Sequence, residues 1–90
     1  MSSWRVELVA KARSDIGEID KPMRQHILDR LVWFGEHFGE RYPIALHGEW
    51  KGFYKFRVGD WRIVYNYDTS AHVITVHQVD RRDKVYKKRK

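Results

Sequence analysis

The chain contains no cysteine, which removes disulfide scaffolds, thiol nucleophiles and cysteine-bound zinc from consideration. Long apolar runs are missing as well. No stretch approaches the ~20 residues of a membrane span, and the opening MSSWRVELVA carries no signal-type apolar region, so the reading is a cytoplasmic protein without a membrane partner. With two prolines and six glycines in 90 residues, no linker, repeat or low-complexity segment divides the chain, which predicts one domain over residues 1–90. His26, His37, His47, His72 and His77 fall in no HxxxH or HxH spacing and have no carboxylate arranged with them as a metal triad. GEHFGE and HGEWKG lack the Walker lysine pattern and the strand-loop-helix setting of a dinucleotide fingerprint. Neither a metal nor a cofactor is expected.

What is present is aromatic and basic. Four Trp, five Tyr and four Phe each bring a ring that buries ~150–250 Å², which offsets the poor surface-to-volume ratio of a short chain. The formal charge is +6, and its location matters more than its size. Residues 1–45 hold seven Lys/Arg against seven Asp/Glu, whereas residues 80–90 hold seven against two. Such asymmetry points to a polyanionic partner, nucleic acid first and an acidic protein second, with a merely solvated tail as the plain alternative.

Alternation over Trp4–Val9 predicts a strand, at a sheet edge, with Trp4, Val6 and Leu8 inward. Lys11–Ile19 reads as a short helix weakened by Gly17. A firmer helix follows, with Asp20 as N-cap, Pro22 in the first turn, a stripe of Met23, Ile27, Leu31, Phe34 and Phe38, and Gly39 and Pro43 as stop signals. Trp33 lies off the stripe and is read as packing against the first helix, with a partner contact as the alternative. Phe53–Val58, Trp61–Tyr67 and His72–Val79 then alternate with period two. The expected class is α+β: an N-terminal strand, a two-helix hairpin, a three-stranded antiparallel meander and a short basic C-terminal segment.

The two-residue Gly59-Asp60 turn fixes a register, because such a hairpin pairs the residues that flank it. Val58 then faces Trp61, Arg57 faces Arg62, Phe56 faces Ile63, Lys55 faces Val64 and Tyr54 faces Tyr65. Tyr54, Phe56, Val58, Trp61, Ile63, Tyr65 and Tyr67 form an apolar face for the longer helix, and Lys55, Arg57 and Arg62 share the other. Like charges directly opposite are unfavourable, so a bound phosphate is expected to compensate; the plain alternative is that the long side chains splay into water or meet an acidic neighbour such as Asp60 or Glu49. If four residues, Asp68–Ala71, form the next loop, Tyr67 pairs with His72 and Arg62 with His77. The same parity brings Arg81 into the cationic patch, with Tyr86 within reach. His77 is then a candidate proton carrier or RNA contact, although a lone His on a strand is more often structural.

The segment Leu46–Tyr65 (LHGEWKGFYKFRVGDWRIVY), with its Y-x-x-R-V-G-D-x-R-x-x-Y hairpin, and the closing R-R-x-x-V-Y of Arg81–Tyr86 resemble the RelE/ParE superfamily of toxin–antitoxin toxins. Lys11-Ala12-Arg13 and Asp20–Arg24 resemble the family's helical hairpin, so the likeness spans nearly the whole chain. It implies a ribosome-dependent endoribonuclease that cuts messenger RNA in the ribosomal A site without a metal, by attack of a ribose 2′-hydroxyl on the adjacent phosphate. Carried over by position, Lys55 is the base, Arg57 and Arg62 steady the phosphate, Arg81 or Arg82 assists the leaving oxygen, and Tyr86 stacks on a base or positions the phosphate. Arg82, Lys84, Lys87, Lys88 and His77 are then RNA contacts. Two positions depart from the family pattern: Arg57 stands where the best-studied branch has Lys, and Asp80 stands where many relatives have a small residue or His. An acidic antitoxin, the ribosome and mRNA are the implied partners, in a toxin–antitoxin hetero-oligomer. The other readings are a ParE-like inhibitor of DNA gyrase without catalysis, and a basic adaptor bound mainly to an antitoxin.

Overall fold

Strands form where apolar and polar side chains alternate, and the longest helix forms where apolar side chains recur every three or four residues. The computed structural model describes residues 3–40 and 42–81. In chain order the elements are β1 (Arg5–Leu8), α1 (Ala10–Gly17), α2 (Lys21–Glu36), β2 (Ile44–Ala45), β3 (Tyr54–Val58), β4 (Trp61–Asp68) and β5 (Val73–Arg81). Single 3₁₀ turns at Phe38–Glu40 and Gly48–Trp50 flank β2. The strands make one sheet in the order β1-β5-β4-β3-β2. β1 lies at the expected edge and runs parallel to β5, while the other neighbours are antiparallel. β2 adds a strand beyond the expected meander; its two exposed residues leave no periodic signal in the sequence.

Asp20 occupies the N-cap of α2 with an extended backbone, although its side chain makes no capping bond, and Pro22 sits in the first turn as expected. Ile27, Leu31 and Phe34 of the stripe, and Phe38 just beyond the helix, are buried; Met23 packs half-buried against them. They meet the predicted apolar face of β3 and β4, where Phe56, Val58, Ile63 and Tyr65 are buried. Gly35 lets α2 approach β1. A Cβ there would stand 2.7 Å from the Trp4 carbonyl oxygen, and the Trp4 N–H donates to the Gly35 carbonyl at 3.0 Å. Trp33 packs against the core and stacks on His37, with ring centroids 4.5 Å apart.

The β3–β4 register is the predicted one at all five pairs, from Val58↔Trp61 to Tyr54↔Tyr65. Gly59 has φ +60°, the conformation a two-residue hairpin turn asks of a glycine at its first position. The β4–β5 register differs from expectation in two ways. Asp68 pairs with Val73, so the loop is Thr69–His72: the Asp68 carboxylate accepts the Ser70 and Ala71 N–H groups at 2.8 and 3.2 Å, and His72 turns the chain with φ +58°. Tyr67 therefore pairs with Ile74, not His72. A bulge then inserts His77, since Tyr65 faces Val76 while Val64 faces Gln78. Beyond it every side chain changes face. α1 braces the bulged strand through Asp15, which accepts the Val79 N–H at 2.9 Å and the Lys11 ammonium at 2.7 Å; that ion pair raises the Lys11 pKa.

Candidate functional site

Strand alternation puts Lys55 and Arg57 of β3 and Arg62 of β4 on the sheet face turned away from α1 and α2, since their neighbours Phe56 and Ile63 are buried on the helix side. Arg57 and Arg62 stand directly opposite one another, and Lys55 lies one step along the same side of β3. The row continues onto β5, where the partner of Arg62 is Asp80 rather than His77. Asp80 is 7% exposed and accepts a short hydrogen bond from the Gln78 amide. The acid beside the arginines thus comes from β5, not from Asp60 or Glu49. Two guanidiniums and one carboxylate in a row, with an ammonium alongside, leave a net positive surface that suits a phosphate and has one built-in counter-charge.

Arg81 does not join this row. It pairs with Trp61 on the helix side, its guanidinium 5.8 Å from that ring's centroid. The cause is the bulge: one extra residue at His77 reverses the parity on which its expected position rested. Arg82, Lys84, Tyr86, Lys87 and Lys88 lie outside the described residues.

His77 is held in the bulge by its neighbours. Its Nε2 is 3.0 Å from Asn66 Oδ1, a hydrogen bond made by the tautomer that has its proton on Nε2. Its ring meets Phe53 edge-on at 5.0 Å, and Phe53 in turn meets Trp50 at 5.5 Å. Burial lowers the His77 pKa below its ordinary 6.5, which keeps the ring neutral at pH 7. His77 is therefore a neutral, anchored side chain and not the partner of Arg62. Asn66 comes from β4, Phe53 stands just before β3 and Trp50 lies in the 3₁₀ turn ahead of it, so no local spacing links them to His77. Among the described residues no three His, Asp or Glu side chains converge on a metal-binding geometry, and no helix is long and apolar enough to cross a membrane.

The family model described as "ParE toxin of type II toxin-antitoxin system, parDE" matches residues 6–86. Comparison with curated proteins finds no match. Among solved structures, a chain of the toxin–antitoxin complex RelBE2 from Mycobacterium tuberculosis is 24% identical, with a TM-score of 0.69 over 91% of this chain and 94% of that one. The archaeal RelE–RelB complex from Pyrococcus horikoshii gives 17% identity and a TM-score of 0.71, over 90% and 97% of the two chains. Isolated RelE toxin from E. coli gives 20% and 0.69, over 96% and 94%. At these identities the likeness is one of fold.

Proposed function

Because the chain belongs to the ParE toxin family of type II toxin–antitoxin systems, within the RelE/ParE superfamily, we propose that its toxic activity is ribosome-dependent cleavage of messenger RNA. The observation that carries this reading is the row of Arg57 and Arg62 with Lys55 beside it, on a sheet face that neither helix covers. Two guanidiniums and an ammonium on one face, offset by the single carboxylate of Asp80, can hold a phosphate that gains charge during reaction.

In the proposed reaction the ribose 2′-hydroxyl attacks the adjacent 3′-phosphate in line. Lys55 takes the hydroxyl proton, Arg57 and Arg62 hold the equatorial oxygens as charge builds, and the bond to the 5′-oxygen of the next nucleotide breaks. The products are a 2′,3′-cyclic phosphate and a 5′-hydroxyl. The proton for the leaving oxygen is assigned to Arg82, since Arg81 lies on the helix side, and Tyr86 is assigned to stacking on a base. Small basic side chains depend on positioning for most of their effect, and the ribosome supplies it by holding the message in line in the A site. The relatives crystallised as RelBE2 and RelE–RelB complexes support an antitoxin partner and a hetero-oligomer, and the positive charge of this chain favours an acidic one.

A second reading has its own support: the matching family model is the ParE one, and Arg81 is absent from the cationic row. On that reading the chain inhibits DNA gyrase without cutting RNA. Purified protein added to mRNA-programmed ribosomes decides between them. Site-specific breaks that disappear in Arg62→Ala support cleavage, whereas inhibited supercoiling with intact message supports the second reading.

A further inference from the structure

The sheet face that neither helix covers carries more than the cationic row. Asn66 lies between Tyr65 and Tyr67, which both pack on the helix side, so alternation turns Asn66 to the face that holds Lys55, Arg57 and Arg62. Its hydrogen bond brings the His77 ring to that face, and the edge-on contacts from His77 to Phe53 and from Phe53 to Trp50 bring both rings there as well. Phe53 precedes Lys55 by two residues and Arg57 by four, so at ~3.3 Å per residue the aromatic group stands about 7 Å and 13 Å along the chain from them. Val64, opposite Lys55, is 3% exposed although it faces away from the helices, so an apolar floor joins the two groups. The turn that presents Trp50 is fixed by its backbone: Gly48 and Gly52 take φ +68° and +93°, the Phe53 N–H donates to the Trp50 carbonyl at 3.0 Å, and the Leu46 N–H donates to the Phe53 carbonyl at 2.9 Å.

Two features of this group suit a nucleobase. Trp50 is half-buried, and among the described residues its ring meets only Phe53, edge-on at 88°, so at least one face of the indole is left to stack on. His77 supplies the second. With the proton on Nε2 and donated to Asn66, Nδ1 keeps its lone pair, and among the described residues nothing donates to it. No buried side-chain nitrogen or oxygen among those residues lacks a partner, so this atom reaches the surface. Burial keeps the ring neutral at pH 7, which makes Nδ1 an acceptor there. Adenine N6 and cytosine N4 are amino donors, whereas guanine and uracil carry an oxygen at the matching position. An acceptor that stays an acceptor therefore sorts amino bases from keto bases.

We infer that Trp50 and His77 form a base-reading subsite, in which a nucleotide close to the cut phosphate stacks on the indole and gives an amino hydrogen to His77 Nδ1, so that adenine or cytosine is preferred there over guanine or uracil. The inference rests on the reading of Lys55, Arg57 and Arg62 as an RNA phosphate site, and it adds the residue that chooses the sequence.

The test is a nuclear magnetic resonance titration of the full chain, without ribosomes, using two trinucleotides of equal size, 2′-O-methyl cytidine and 2′-O-methyl uridine, whose blocked 2′-hydroxyls prevent cleavage. The cytidine trinucleotide is expected to shift the Trp50 indole and His77 ring signals, and the uridine one to bind about tenfold more weakly. Trp50→Ala weakens both by about tenfold and keeps their ratio, because stacking does not read the edge of the base, while His77→Phe brings the ratio to about one. Equal binding of the two by the unsubstituted chain, shifts that spare Trp50 and His77, or no binding at millimolar trinucleotide overturns the inference. So does a cytidine preference that survives in His77→Phe. If that variant does not fold, the ring nitrogen resonances of His77 in the unsubstituted chain decide, and their failure to move with cytidine overturns the inference too. Cleavage is read separately on programmed ribosomes. A chain that cuts message with no preference for an amino base near the break loses the subsite and keeps the nuclease, and one that cuts no message yet prefers cytidine keeps the subsite and loses the nuclease.

Discussion

Arg62 and Asp80 stand directly opposite one another on β4 and β5, the carboxylate buried and the guanidinium half-buried. This places one acid beside two facing arginines, a counter-charge that offsets their mutual repulsion. Asp80→Asn is expected to lower stability by about 1–3 kcal/mol, the cost of removing one member of a largely buried charged set. It also exposes more positive potential, so RNA binds more tightly and with a steeper salt dependence. Urea titration and salt-series binding measure the two effects. A double-mutant cycle with Arg62→Gln that shows no coupling energy would reject the pairing as their cause.

Arg62 and Arg81 lie on opposite faces of the sheet, so their substitutions separate in effect. Arg81→Ala is expected to leave cleavage within about threefold and to lower stability by about 0.5–1 kcal/mol through loss of its contact with the Trp61 ring. Arg62→Ala is expected to lower the cleavage rate by ~10²–10³ while the fold survives. Single-turnover cleavage on programmed ribosomes gives both numbers. A large catalytic loss in Arg81→Ala would contradict the face assigned to it.

Gly35 offers a test of packing against propensity. Alanine is better than glycine inside a helix by ~1 kcal/mol, so an exposed position would gain stability. Here the added methyl meets the Trp4 carbonyl at 2.7 Å and Val6 Cγ2 at 3.0 Å. Gly35→Ala is therefore expected to cost a net ~1–3 kcal/mol, read from a shifted denaturation midpoint, with β1 displaced from α2.

His77 sets a pH dependence whose sign follows from burial. Its folded pKa lies below the unfolded value near 6.5, so the unfolded chain takes up a proton first as pH falls. The stability attached to the neutral ring is complete above pH ~6.5 and declines as pH drops from there through the lower folded pKa, by at most ~1.4 kcal/mol per pH unit. His77→Gln keeps a donor for Asn66 and removes the titration, so its stability curve is flatter over that interval. Identical slopes for the two proteins would show that His77 does not titrate differently on folding.

The legible part of this fold is the part with short-range rules. The two-residue turn at Gly59-Asp60 pins β3 to β4, so the Arg57–Arg62 opposition follows from counting, and the spacing of Ile27, Leu31, Phe34 and Phe38 marks the core face of α2. The β4–β5 pairing depends on a longer loop, and the expected register assumes unbroken alternation; the loop starts one residue later and the alternation is broken. A usable signal is present: buried apolar residues run Ile74, Val76, Val79, with a step of three where a regular strand takes two. Reading Val73, Thr75, His77 and Val79 as one face passes over that step and carries Arg81 to the wrong side. The cavity of about 380 Å³ among Phe34, Ile44, Phe56 and Tyr65 is not legible at all, because its walls come from α2, β2, β3 and β4 and no local pattern brings them together.

The parallel pairing of β1 with β5 has a consequence in time. Arg5 meets Val73 and Leu8 meets Val76, so among the described strands the first to be synthesised finds its neighbour in the last. Such long-range closure is slow compared with local contacts, and during synthesis it must wait for β5 to emerge. The arginine row waits as well, since Asp80 is contributed by that same strand. A growing chain therefore carries Arg57 and Arg62 before it carries the assembled row, which waits for the strand that brings their counter-charge.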